Sequence, residues 1–151
     1  MKIYIGSDHR GLVLKKRLTS FLEKKGHRVV DVGNFVYDET DDYTDFGRDV
    51  ALGVTKTRGS LGIAICGSGS GVCVAANKVR KARAFLALNE KHARITREDD
   101  DANVLCLGAD FVTGKKAEKI ALSFLRSKYK KTKRRERRIE KLGKIYDGKT
   151  I

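Results

Sequence analysis

The stretch from Leu61 to Lys78 constrains this chain more than any other. An apolar run, Leu61-Gly62-Ile63-Ala64-Ile65, ends in Cys66 and passes straight into Gly67-Ser68-Gly69-Ser70-Gly71, after which Val72 to Lys78 can open a helix. A short run with no polar alternation reads as a strand buried on both faces, as in parallel sheets. A tight strand-to-helix turn must follow at once. Three glycines alternating with serines let the backbone aim several N–H groups at one point, where a helix N-terminus adds partial positive charge. A thiol at the lip of such a cradle can serve as base or nucleophile near neutral pH. The segment therefore points to chemistry on a charged, or charge-developing, small molecule. A ligand-free turn explains one or two glycines better than three in alternation. The G-x-G-x-G spacing, placed after the third strand, also departs from the G-x-G-x-x-G of dinucleotide sites.

The rest of the chain repeats the strand–helix alternation. Strands are expected at Ile3–Ile5, Val29–Val30, Leu61–Ile65, Arg83–Leu88 and Asn103–Leu107. Helices are expected at Leu12–Lys25, closed by Gly26, and near Asp45–Lys56, Val72–Lys78, Asn89–Arg97 and Lys115–Leu125. In the last of these, Ala117, Ile120, Ala121, Phe124 and Leu125 follow the spacing of one helical face. The alternation implies an α/β fold with a parallel sheet of five strands covered on both faces. The chain has 151 residues and no proline, repeat or low-complexity linker. One domain over 1–151 is expected, with a basic helix or tail from about 128.

Composition narrows the setting. No apolar run approaches the roughly 20 residues of a membrane span, and Met1 is followed by no apolar signal core, so a cytoplasmic protein is expected. Three cysteines without a C-x-x-C pair fit a reducing compartment, with Cys73 and Cys106 read as core residues. His9, His27 and His92 lack metal-ligand spacing, so no metal is expected. The net charge of +14 is unevenly spread, with eight of the eleven residues from Lys128 to Arg138 being Lys or Arg. Acidic residues cluster at Asp38–Asp49 and Glu98–Asp101. Glu98–Asp101 is expected to face the basic tail of a neighbouring subunit.

Ligands of open α/β sheets bind outside the carboxyl ends of the strands, where both Asp8-His9 and Cys66-Gly67 fall. Asp8 and His9 can be turn residues, or a hydrogen-bonding pair for a polyol and a phosphate. Arg134 and Arg138, at i and i+4 of a helix, can clamp a phosphate, although a solvated basic face has the same pattern. The basic block also permits nucleic-acid contact, but no aromatic-rich strand or recognised binding motif accompanies it, so nucleic acid is not the expected partner.

Five blocks converge on one family. Gly6-Ser7-Asp8-His9, Ile65 through Gly71, Ala75-Ala76-Asn77-Lys78, Asn103-Val104-Leu105 and the Arg134/Arg138 pair stand in the order and at the separations that resemble type B ribose-5-phosphate isomerase, whose family also holds the galactose-6-phosphate isomerase subunits. The likeness runs from Lys2 to about Leu142. It implies a Rossmann-like three-layer α/β/α subunit, a homodimer or tetramer with active sites shared between subunits, and aldose–ketose interconversion through an enediolate without metal or organic cofactor. By this likeness Cys66 is the base, Ser68 stands in the usual threonine position and assists it, and the backbone of Gly67, Gly69, Ser70 and Gly71 holds the developing oxyanion. Asp8 binds sugar hydroxyls, Tyr43 lines the pocket, and His9, Arg134 and Arg138 grip the phosphate.

The sequence departs from the family at Asp99 and Asp100, where a ring-opening histidine and a sugar-binding asparagine usually stand. A carboxylate at Asp99 can accept the anomeric proton, but carboxylic acids are poor proton donors near neutrality. The departure leaves open a tetrose phosphate such as erythrulose 4-phosphate, which forms no furanose ring, or a hexose 6-phosphate. A non-catalytic relative that binds acidic partners through its tail is another alternative. A nucleotide-binding regulator lacks any adenine or ribose determinant.

Overall fold

The computed structural model describes residues 1–149, so the last two positions of the expected domain lie outside the described residues. Strand β1 (Lys2–Ser7) leads through a 3-10 turn at His9–Gly11 into helix α1 (Leu12–Lys24). There follow β2 (Arg28–Asp31), α2 (Tyr43–Lys56), β3 (Leu61–Cys66) and α3 (Ser70–Ala76). The chain continues with β4 (Ala84–Leu86), α4 (Glu90–Asp100), β5 (Val104–Gly108), α5 (Gly114–Arg126) and α6 (Lys133–Tyr146). The five strands form one sheet in the order β2-β1-β3-β5-β4, and every pairing is parallel.

Strand alternation divides the core in two. Ile3, Ile5, Ile63, Ile65, Leu105 and Leu107 point to one face, where α1, α4 and α5 cover them with Leu18, Leu22, Ala93, Ile120 and Phe124. Tyr4, Ala64, Cys66, Val104 and Cys106 point to the other, where α2 and α3 supply Val50, Ala51, Val54, Val72 and Ala76. Each fully buried leucine, isoleucine or phenylalanine contributes about 1.5–3 kcal/mol by leaving water. This three-layer arrangement makes the sheet-edge ends the places where polar side chains can gather.

The ends differ from expectation in small ways with physical causes. Helix α3 begins at Ser70 rather than Val72, because Gly69 takes a left-handed conformation (φ 79°) that closes the turn early. Strand β4 shrinks to three residues at the sheet edge, with Leu88 exposed beyond it. The basic tail forms α6, capped by the Thr132 side chain accepting from Arg135 N–H. None of its residues is buried.

Candidate active site

The carboxyl ends of β1 and β3 lie side by side, with Ser7 in register with Ile65. Asp8 follows β1 directly, and its backbone N–H donates to the Ile65 carbonyl at 3.3 Å. Cys66 ends β3, almost fully buried, and its Sγ accepts from the Gly69 N–H at 3.1 Å. Ser68 is exposed, and its Oγ accepts from Ser70 N–H at 3.2 Å.

A Cβ on each glycine of the loop would meet a different neighbour. A Cβ on Gly69 would lie 2.6 Å from Leu86 Cδ1 and 2.7 Å from Gly108 N, in addition to the strain of its positive φ. A Cβ on Gly71 would lie 2.7 Å from the Tyr43 ring, which places Tyr43 against the start of α3. Gly67 underlies Arg10, whose guanidinium is paired with Asp110. Ser70 N–H is taken by Ser68 Oγ, while the Gly71 and Val72 N–H groups have no acceptor inside the helix and remain available as donors.

Asp8 is buried and accepts from Gly11 N–H at 2.9 Å. Burial pushes its carboxyl above the ordinary value, against the hydrogen bonds from Gly11 and Arg10 N–H. His9 is half-buried, and Asp41 accepts from both its backbone N–H (3.1 Å) and its Nδ1 (2.7 Å). The exposed Tyr37 ring stands edge-on to the imidazole at 5.7 Å. Asp8, His9, Tyr43, Cys66, Ser68, Ser70 and the three loop glycines thus gather at one end of the sheet.

Asp99, Asp100, Arg134 and Arg138 do not join them within this chain. Asp99 and Asp100 end α4, just before β5 begins at Val104. Val104 pairs with Gly62 and Gly108 with Cys66, so a run of four residue steps, at about 3.3 Å each, separates the two groups along the sheet. Arg134 and Arg138 lie exposed on α6, and neither makes an ion pair among the described residues.

Within this chain the acidic segment before β5, expected to face a neighbour's tail, already has cations of its own. Glu98 accepts from Lys130 Nζ at 2.9 Å and from Arg94 at 3.0 Å, Asp99 pairs with Arg135, and Asp101 with Arg83 and Arg97. The reason is local, because the Glu98 carbonyl also accepts from Lys130 N–H, tying the approach to α6 onto the end of α4. Lys130 holds the Glu98 carboxyl below its ordinary value.

Cys106 is fully buried, and burial pushes its thiol up, whereas half-buried Cys73 is lowered by its hydrogen bond with Cys106. Both lie in the core on the α2–α3 side. Among the described residues, no group of three or more His, Cys, Asp or Glu is arranged to hold a metal, and no helix is long and apolar enough to cross a membrane.

Sequence reasoning overlooked Asp41 and Lys15. Lys15 is 1 % exposed, bonded to Asp31 Oδ1 at 2.7 Å and to the Asn34 carbonyl. A signal was available, since Lys15 falls on the helical row of Gly11, Leu18 and Leu22 that faces the protein interior.

The whole arrangement has counterparts among known proteins. A family model described as Ribose/Galactose Isomerase matches residues 3–142. The probable ribose-5-phosphate isomerase B of Mycoplasma genitalium is 47% identical over 141 residues, covering 93% of this chain and 92% of that protein. The galactose-6-phosphate isomerase subunit LacB of Clostridium acetobutylicum is 34% identical over 98% of this chain and 85% of its own. The structure of Clostridium thermocellum ribose-5-phosphate isomerase B superposes with a TM-score of 0.94 at 41% identity, over 98% of this chain and 99% of that one. The Mycoplasma genitalium enzyme, in a crystal structure with bound ribulose-5-phosphate, superposes with a TM-score of 0.92 at 45% identity, over 99% and 97%. With the family match spanning nearly its full length and the fold shared from end to end, this chain belongs to the ribose/galactose isomerase family.

Proposed function

We propose that this protein is a cytoplasmic aldose–ketose isomerase that interconverts ribose 5-phosphate and ribulose 5-phosphate through an enediolate, with Cys66 as the base. The observation that carries this reading is the Cys66 thiol, buried at the carboxyl end of β3 and held by the Gly69 N–H at 3.1 Å. Family membership and the ribulose-5-phosphate bound to the Mycoplasma genitalium enzyme support the substrate class.

In the proposed reaction the Cys66 thiolate takes the proton from C2 of the open-chain aldose, and the electron pair passes to O1. The resulting enediolate rests against loop and α3 N–H donors, a role in which one donor is worth about 3–4 kcal/mol. Ser68 relays the proton of O2 to O1, and Cys66 returns its proton to C1, leaving the carbonyl at C2. Asp8 accepts from the sugar hydroxyls and His9 meets the phosphate.

The site is completed by a second copy of the chain, which brings Asp99, Asp100, Arg134 and Arg138 to the Cys66 end. Supporting this, those four residues lie at the far end of their own sheet, and the exposed Leu88 (66 %) and Phe111 (76 %) flank Ser68 and Ser70 as surface that a partner would cover.

Purified protein given ribose 5-phosphate is expected to form ribulose 5-phosphate, and Cys66→Ala to lose about a thousandfold or more in kcat. Absence of turnover in the parent protein, or full activity in the variant, overturns the reading.

One observation favours a second substrate. Asp99, at the family's ring-opening position, is already engaged by the Arg135 guanidinium rather than free to work on a ring oxygen. A tetrose phosphate such as erythrulose 4-phosphate needs no ring opening. Side-by-side assays decide between them, and clearly faster turnover of ribose 5-phosphate removes the tetrose.

A further inference from the structure

Lys15 is the most buried charged side chain in the described structure, and an ammonium so placed is costly unless it is paired and hydrogen-bonded. Its partners are the Asp31 carboxylate and the backbone carbonyl of Asn34, so it pins the segment that follows β2 against α1. The same segment is stitched to β1, with Ser7 N–H donating to the Gly33 carbonyl and Asn34 N–H to the Ser7 carbonyl, both at 2.8 Å. The buried Asn34 then donates from Nδ2 to Asp41 Oδ2. Asp41 is 9 % exposed, and its remaining oxygen takes both the backbone N–H and the Nδ1 of His9.

The chain of contacts therefore runs from a buried lysine to one nitrogen of a half-buried imidazole. A carboxylate only accepts, so the His9 proton facing Asp41 is on Nδ1, and Nε2 takes no hydrogen bond from the described residues. Resting on the isomerase reading above, we propose that Asp41, anchored through Asn34 by buried Lys15, is a positioning residue that holds Nδ1–H and so turns the His9 ring to aim Nε2 at the substrate phosphate, to which Nε2–H of the imidazolium form donates. The locking is two-point, because hydrogen bonds from the backbone N–H and from Nδ1 to one oxygen fix both the backbone and the ring of His9.

Asp41→Ala frees the ring, and Asp41→Asn retains an acceptor oxygen for Nδ1–H. In Asp41→Asn the Asn34 amide can turn to present Oδ1, which has no partner in the parent. With ribose 5-phosphate, Asp41→Ala is expected to raise KM roughly tenfold or more with a much smaller change in kcat, and Asp41→Asn to restore most of the loss. In a His9→Ala background Asp41→Ala should add nothing further to KM. Imidazole 15N NMR of the substrate-free protein, at a pH alkaline enough to keep the ring neutral, should show His9 as a single Nδ1–H tautomer in the parent and in Asp41→Asn, and as a mixture in Asp41→Ala. An unchanged His9 tautomer in Asp41→Ala overturns the proposal, as does a KM effect of equal size without His9. The NMR readout requires no turnover, so failure of the isomerase reading and failure of this one are told apart.

Discussion

At the carboxyl end of the sheet, Cys66 and Asp8 are buried, Gly69 has backbone where a methyl group would go, and His9 is held by two bonds to Asp41. At the amino end, Asp99 and Arg135 are partly exposed, Asp100, Arg134, Arg137 and Arg138 are exposed, and contacts are exchanged among long charged side chains. The first region is rigid because close packing leaves its groups one arrangement. The second is held by surface ion pairs, each worth about 0–1 kcal/mol, and can yield its charges to a better partner. The contrast fits the proposed division of labour, with proton transfer in the preorganised half and phosphate capture by a half that a second copy supplies.

If that contrast is real, a methyl group should be ruinous at one end and harmless at the other. Gly69→Ala forces a Cβ onto a left-handed residue and within 2.8 Å of Leu86, Gly108 and Leu107 atoms, and should cost about 3 kcal/mol or more in urea unfolding together with most of the activity. A variant of parental stability would show that the loop yields more than its packing implies.

Asp8→Asn sharpens the comparison through pH. Burial raises the Asp8 carboxyl in the folded state, so its contribution to stability is full below the unfolded value of 3.8 and is lost as pH rises through the folded value. Asparagine keeps the acceptor for Gly11 N–H and removes that loss. The variant should therefore melt above the parent at pH 7 while its activity falls, and the difference in Tm should close in acid. A constant difference across pH would remove burial of the charge as its cause.

The smallest effect belongs to α6. Gly143 is helical with open space around it, so Gly143→Ala should stabilise by at most about 1 kcal/mol and leave turnover unchanged. A loss of stability in calorimetry would mean that α6 is packed more tightly than it stands here.

Most of the architecture was legible in the residues. Leu61–Ile65 and Asn103–Leu107 are apolar runs too short for helices, and the spacing of Ala117, Ile120, Phe124 and Leu125 admits only one buried face. Cys66 and the glycine loop were legible as a site because strand-to-helix turns after central strands lie where ligands bind. Long-range pairing was not. Asp41 and His9 are 32 residues apart, and nothing in either segment marks the other. The acidity of Glu98–Asp101 calls for a basic partner, and Lys130 and Arg135 of the same chain reach it, but charge patterning records complementarity without saying which copy supplies the partner.

The division of the site between two copies is tested most directly by complementation. Cys66→Ala and the double variant Arg134→Ala/Arg138→Ala are each nearly inactive alone on this account, and they are unfolded together and refolded as a mixture. Hybrid dimers then carry one site with an intact thiol facing intact arginines, and the account predicts recovery of about a quarter of parental activity, half the dimers being hybrids with one good site each. No recovery in a mixture shown to contain hybrids would place the whole site within one chain and contradict it.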